Sequence, residues 1–176
     1  MASCAPVFCW GPEMSGALFA STLESPVGDL LLLADELGLR ALYMEYRRYP
    51  PIAADWRRDE ARFALAKQQL RAYFARELRD FDLPLSMVGS PFQKRVWDEL
   101  LRIPYGQTVS YGSLARTLGD AKASRAVGLA NGRNPISIIV PCHRVVGSTG
   151  SLTGYGGGIE RKRWLLAHES GEAQLF

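Results

Sequence analysis

Cys142 and His143 stand side by side in "IIVPCHRVVG", directly after the apolar run Ile138, Ile139, Val140 and Pro141. A thiol next to an imidazole is the raw material of nucleophilic catalysis: the sulfur attacks, and a base that titrates near neutrality draws off its proton. Such a base needs a third group to orient it, and Glu169 and Asp98 are the candidates. An inert reading stays open beside this one, because a buried, unreactive small residue is the commonest fate of an intracellular cysteine. Pro141 weighs toward chemistry. It should end the apolar run, so that a turn or helix start places the next two side chains. Adjacent residues do not face each other on regular structure, so a Cys142–His143 contact requires an irregular backbone or a bridging water.

The elements that must hold these residues can be read outward from them. In "SPFQ", Ser90 can cap a helix that begins at Pro91, with Gln93 closing a capping box. Phe92, Val96 and Leu100 share one face of that helix, beside Trp97 and Leu101, and "IPYGQ" ends it. Two short helices follow, from Tyr111 to Leu118 and from Lys122 to Ala130, around Gly119 and Asp120. That length and turn chemistry describe a helix-turn-helix. The second of these helices carries Ala123, Ala126, Gly128 and Ala130 with Arg125 among them. Small residues let helices pack closely, and they equally suit a narrow minor groove where little sequence is read. A glycine-rich loop, "TGYGGGI", and a basic-then-apolar helix, "ERKRWLLAHE", close the half.

Upstream, "SPVGDLLLLADELGLRALYMEY" reads as a hairpin: Leu30 to Ala34, a turn over Asp35 to Gly38, and a return strand from Leu39 to Tyr46. "GALFAST" offers a further strand and "RRYPPIAADW" a proline-broken loop. From Arg57 to Phe74 the pattern turns helical, with Phe63, Leu70 and Phe74 at helical spacings. The proline- and glycine-marked link "RDFDLPLSMVG" sets a domain boundary near Val88, giving domains 1–88 and 89–176.

Charge separates the halves. Residues 1–88 hold ten Lys/Arg against twelve Asp/Glu, and residues 89–176 hold eleven against six. A basic second half points to a polyanionic partner. No basic stretch followed by a long apolar run opens the chain, and "DLLLLA" is too short to span a bilayer, so a cytoplasmic protein without a membrane partner is expected. "GYGGGI" lacks the Gly-Lys-Ser/Thr of a phosphate loop, and His143 and His168 are the only histidines, with no CxxC pair for zinc.

"PCHRV", with "RAVGLANGRNP" before it and "GYGGGIERKRWLLAHE" after it, resembles the O6-alkylguanine-DNA alkyltransferases, or methylated-DNA–protein-cysteine methyltransferases, of bacterial Ogt type. The likeness is dense from Ser90 to Glu169 and extends to the hairpin and the first helix. It implies an α+β protein: an N-terminal α/β domain around an antiparallel, ribonuclease-H-like sheet, then a mostly helical domain carrying the helix-turn-helix. It also implies direct-reversal DNA repair. The protein would bind double-stranded DNA through the minor groove with little sequence preference and flip the damaged guanine out. It would then move the alkyl group onto its own cysteine, once per molecule and without a cofactor, with O4-alkylthymine left open as a second substrate. A monomer in solution is implied, with cooperative assembly along DNA left open.

By the same resemblance, Cys142 is the acceptor, and His143 (through a water) and Glu169 relay its proton away. The expectation is a thiolate already generated near pH 7. Tyr111 donates to the departing guanine oxygen, and Arg125 fills the vacated stack. Asn134 braces the turn before the cysteine. Ala123, Ala126, Gly128 and Ala130 line the DNA-facing helix, while Val145, Tyr155, Gly156 and Gly157 form the lesion pocket. Some relatives hold zinc in the first domain, but no histidine precedes His143, so no metal is expected. Cys4 and Cys9 are bystanders. Two other classes fit parts of the pattern. An operator-binding regulator predicts sequence-dependent binding, and a cysteine hydrolase predicts turnover.

Overall fold

A computed structural model describes residues 17–44 and 56–171. The hairpin forms where its hydrophobic run requires: β1 (Phe19–Leu23), β2 (Leu30–Ala34) and β3 (Leu39–Tyr43) pair antiparallel in the order β3-β2-β1. All five residues of β2 are buried, so this strand is covered on both faces. "GALFAST" thus supplies β1, while the return strand is described only to Tyr43, and Tyr46 lies outside the described residues. Most of "RRYPPIAADW" lies outside them as well.

The helix expected from Arg57 begins later. Arg57 and Arg58 form a two-residue strand, β4, parallel to β1, which makes the sheet mixed rather than purely antiparallel. Both arginines are exposed at the sheet edge, so their polar character, read along the chain, mimicked a helix's solvent side. A 3-10 turn at Ala61–Phe63 then leads into α1 (Ala64–Phe74), whose buried stripe is Ala66, Leu70 and Tyr73.

The second domain is helical. α2 (Pro91–Leu101) starts on the expected capping box: Ser90 Oγ accepts from the Gln93 N–H at 3.3 Å, and the Gln93 side chain accepts from the Ser90 N–H at 2.8 Å. Val96, Trp97 and Leu100 are its buried face, while Leu101 remains exposed. β5 (Val109–Ser110) pairs in parallel with β6 (Val145–Val146), so the entrance to the helix-turn-helix is stitched to the strand after the cysteine. α3 (Tyr111–Thr117) is capped by Ser110, and α4 (Ser124–Gly132) follows a 3-10 turn at Ala121–Ala123, two residues later than expected. α5 (Ile159–Ser170) closes the described chain.

One hydrophobic core runs through both domains. Direct backbone bonds cross between them: Leu42 N donates to Pro135 O at 2.9 Å, and Ser137 N returns to Leu42 O at 3.2 Å. The central sheet therefore braces the segment that leads into Cys142. No helix among the described residues is long and apolar enough to cross a membrane.

Candidate active site

Pro141 does what its chemistry requires. The backbone breaks from its apolar run and winds into a one-turn 3-10 helix, Cys142–Arg144. Two asparagines fix this turn. Asn134 Nδ2 donates to the Val140 carbonyl at 2.7 Å while its Oδ1 accepts from the Ile136 N–H at 3.0 Å, and Asn131 Nδ2 donates to the Cys142 carbonyl at 3.3 Å.

His143 is fully buried, with Nε2 2.8 Å from Glu169 Oε1. Of the two candidates for orienting it, the fold selects Glu169, from the last turn of α5, and leaves Asp98 exposed on α2. Glu169 is the most heavily bonded side chain in the site. Oε1 accepts from Tyr73 Oη at 2.8 Å, from His143, and from Arg144 Nη2 at 2.9 Å. Oε2 accepts from Arg144 Nε at 2.8 Å and from the Gly106 N–H at 3.1 Å. Gly106 has φ +74°, and a Cβ there would sit 3.1 Å from the Glu169 carbonyl oxygen, so glycine lets this backbone reach the carboxylate.

Electrostatics follow from this wiring. Burial alone would raise the Glu169 carboxyl, but the hydrogen bonds and charges of His143 and Arg144 outweigh it and hold the group far below the usual carboxylate range. Burial pushes His143 down, with Glu169 opposing and Arg144 and Lys162 reinforcing, so the imidazole is neutral at pH 7. An ionised carboxylate only accepts, which fixes the tautomer: Nε2 carries the hydrogen and Nδ1 is a bare acceptor. Among the described residues, Nδ1 has no hydrogen-bond partner.

The thiol corrects one expectation. Cys142 is 4% exposed, and burial raises it above its ordinary 9.0, against the opposing effects of the Asn134 side chain, the Lys162 charge and the Tyr155 hydroxyl. The sulfur is therefore protonated at rest, not held ionised near pH 7. Desolvation of a sulfur atom costs the thiolate more than these neighbours return.

The remaining expected residues fall into three groups. Tyr111 opens α3, half-buried, and burial raises its phenol against the side chains of Thr153 and Asn131, so its hydroxyl keeps its proton. Its ring lies beside α4, where a Cβ on Gly128 would be in ordinary contact at 3.8 Å. Arg125 and Ala126 are exposed on α4, and Ala123 is half-buried in the turn before it. Ala130 does not belong with them: it is buried, its carbonyl accepts from Trp97 Nε1 at 3.0 Å, and it faces the core rather than an outer surface.

Around the proposed pocket, Tyr155 and Gly156 are half-buried and Gly157 buried, and the Tyr155 hydroxyl lies 4.0 Å from Met44 Sδ. Val145 is buried in β6, with its N–H donated to the Cys142 carbonyl and its own carbonyl accepting from Lys162 Nζ at 2.6 Å.

Four residues that the sequence reading passed over belong here: Tyr73, Asn131, Arg144 and Lys162. Lys162 is fully buried and donates also to the Thr153 carbonyl at 3.1 Å, tying the cysteine segment to the loop before α5. Its signal was present, since Lys162, Leu165 and Glu169 recur on one helical face. Arg144 was visible as a charge inside an apolar run. Nothing local marks Tyr73. Among the described residues, no group of three His, Cys, Asp or Glu side chains could hold a metal.

Two family profiles match this chain. Residues 18–87 match the 6-O-methylguanine DNA methyltransferase ribonuclease-like domain, and residues 91–171 match the DNA binding domain of the same family. The chain is 53% identical over 152 residues to the methylated-DNA–protein-cysteine methyltransferase of Mycobacterium tuberculosis, covering 86% of this chain and 92% of that protein. It is 49% identical over 153 residues to the Methanosarcina acetivorans protein of the same name, covering 86% and 98%. The crystal structure of the M. tuberculosis O6-methylguanine methyltransferase superposes with a TM-score of 0.82 at 52% identity, over 89% of this chain and 95% of that one. That of M. tuberculosis OGT in complex with DNA gives 0.81 at 51%, over 87% and 93%. With its sheet domain, its helical domain and these relatives, the chain belongs to the 6-O-methylguanine DNA methyltransferase family and is of Ogt type.

Proposed function

We propose that this protein repairs alkylated DNA by direct reversal, transferring the alkyl group of O6-alkylguanine to Cys142 in a single turnover. The observation that carries the mechanism is the His143–Glu169 pair, a neutral imidazole whose Nε2–H is engaged and whose Nδ1 is free to accept. As the sulfur attacks the alkyl carbon, the S–H proton passes through a bridging water toward Nδ1 and the C–O6 bond breaks. The bond's electron pair goes to the guanine oxygen, which takes a proton from Tyr111. A thiol that is neutral at rest suits this order, because charge develops on sulfur only when a base occupies the site.

The product is a thioether with no hydrolysable bond, so each molecule acts once. DNA is the partner. The helix-turn-helix, with Arg125 and Ala126 exposed on α4, fits minor-groove binding to duplex with little sequence preference, and Arg125 would enter the stack left by the flipped base. Extrusion of the base is required because O6 is otherwise held within the paired duplex. The reading divides the chain at residues 88 and 89 and places a monomer in the cytoplasm. The test is stoichiometric. With a duplex carrying O6-methylguanine in excess, the guanine restored should plateau at one per chain and vanish in Cys142→Ser. Restoration that continues past one per chain, or none at all, overturns the reading.

A further inference from the structure

Among the described residues, one side chain of the first domain, that of Tyr73, hydrogen-bonds to the carboxylate behind His143. Of the five hydrogen bonds that Glu169 accepts, four come from His143, Arg144 and Gly106 of the second domain. The fifth comes from Tyr73 on α1, 96 residues away in sequence. We propose that Tyr73 is a positioning residue for alkyl transfer: by donating its hydroxyl to Glu169 Oε1, it limits how strongly that oxygen can hold a proton on His143. This inference rests on the transfer reaction proposed above.

The geometry makes the contact hard to lose. Tyr73 is fully buried, its ring packed against Phe74, Phe81, Tyr105 and His168 at centroid distances of 5.2 to 6.0 Å. Its backbone carbonyl also accepts from His168 Nε2 at 2.9 Å. Tyr73 therefore grips two successive residues of α5, His168 by its main chain and Glu169 by its side chain. Burial, with the adjacent Glu169 charge, drives the phenol well above its ordinary value, so it stays a donor across the working pH range.

The hydroxyl shares Oε1 with the His143 Nε2–H. Density that Oε1 gives to Tyr73 is withheld from the imidazolium that forms during transfer. The other charges on this pair are in place too. His143 feels Glu169, Arg144 and Lys162, and Glu169 feels Arg144, while Tyr105 and Tyr155 lie near enough to sense the carboxylate. None of those groups comes from α1.

The test is the pH dependence of the single-turnover methyl-transfer rate. Tyr73→Phe keeps the ring and removes the donor. Glu169 then holds the imidazolium better, and the acid limb of the profile should move up by about half to one pH unit. That is a fraction of the strength of one hydrogen bond to a charged group, because the bond acts on His143 only through Glu169. At a pH on that limb the variant is slower by about three- to tenfold. Replacing Tyr73 by 3-fluorotyrosine, a stronger donor of nearly the same size, should move the limb down. This second measurement decides the matter if the phenylalanine protein does not fold. Tyr105→Phe, which alters a ring packed on Tyr73, should leave the limb in place.

A purely structural role predicts one uniform loss at every pH. A limb that does not move in folded protein, or that moves the same way for both replacements of Tyr73, overturns the proposal. A wild-type protein that transfers no methyl at all would instead refute the underlying reaction.

Discussion

Asn134 closes the loop in front of the cysteine: its Nδ2 lies 2.7 Å from the carbonyl oxygen of Val140, six residues on. Between them Ile138 is held at φ +72°, a left-handed conformation that a β-branched residue adopts only under constraint. Removing the clamp with Asn134→Ala frees two buried backbone groups, the Val140 carbonyl and the Ile136 N–H. The expected cost is about 1–3 kcal/mol in urea unfolding. Methyl transfer should slow by roughly tenfold or more as Cys142 loses its fixed position. Unchanged stability would show that the loop is held by its packing alone.

The buried ion network makes stability fall with acid. Below the ordinary 6.5 of histidine, the unfolded chain takes a proton that folded His143 refuses, because its folded value is depressed. Below the ordinary 4.5 of glutamate, the unfolded chain takes a second proton that folded Glu169 refuses for the same reason. Both effects have the same sign. The urea midpoint should begin to drop as pH falls through the histidine range and drop further through the carboxylate range. His143→Gln should flatten the first step. A midpoint that is flat or rises on acidification across the histidine range contradicts the assignment.

Arg125 is exposed on α4, away from the relay, so its role should depend on there being a stack to fill. Arg125→Ala is expected to slow repair of O6-methylguanine in duplex DNA by roughly tenfold or more, since unstacking a base costs a few kcal/mol. Reaction with the free alkylated base should be nearly unaffected. Equal losses on both substrates would remove Arg125 from the flipping step.

How much of this was legible in the sequence depends on the range of the interaction. The Ser90–Gln93 capping box, the all-apolar β2 and the break at Pro141 are local, and each formed where its residues required. The strand at Arg57–Arg58 was lost because two exposed polar residues carry no periodicity, and its pairing with β1 is set by tertiary contact. Ala130 looked like its small neighbours on α4, but only the position of Trp97 decides that it faces inward. The site divides in the same way. Cys142 and His143 announce themselves by adjacency, while Glu169 stood beside Asp98 as a candidate until the resemblance favoured it. The Tyr73 hydroxyl bond and the raised thiol come from burial and from contacts across 96 residues, which no spacing along the chain encodes.

The central claim is that the Cys142 sulfur accepts one alkyl group and is consumed. Mass spectrometry of the intact protein after reaction with O6-methylguanine duplex tests it most directly. The account predicts the mass of one added methyl group per chain, mapped by proteolysis to Cys142, with no further guanine restored by the modified protein. An unmodified protein mass accompanied by continuing repair, or a methyl group found on any other residue, would contradict it.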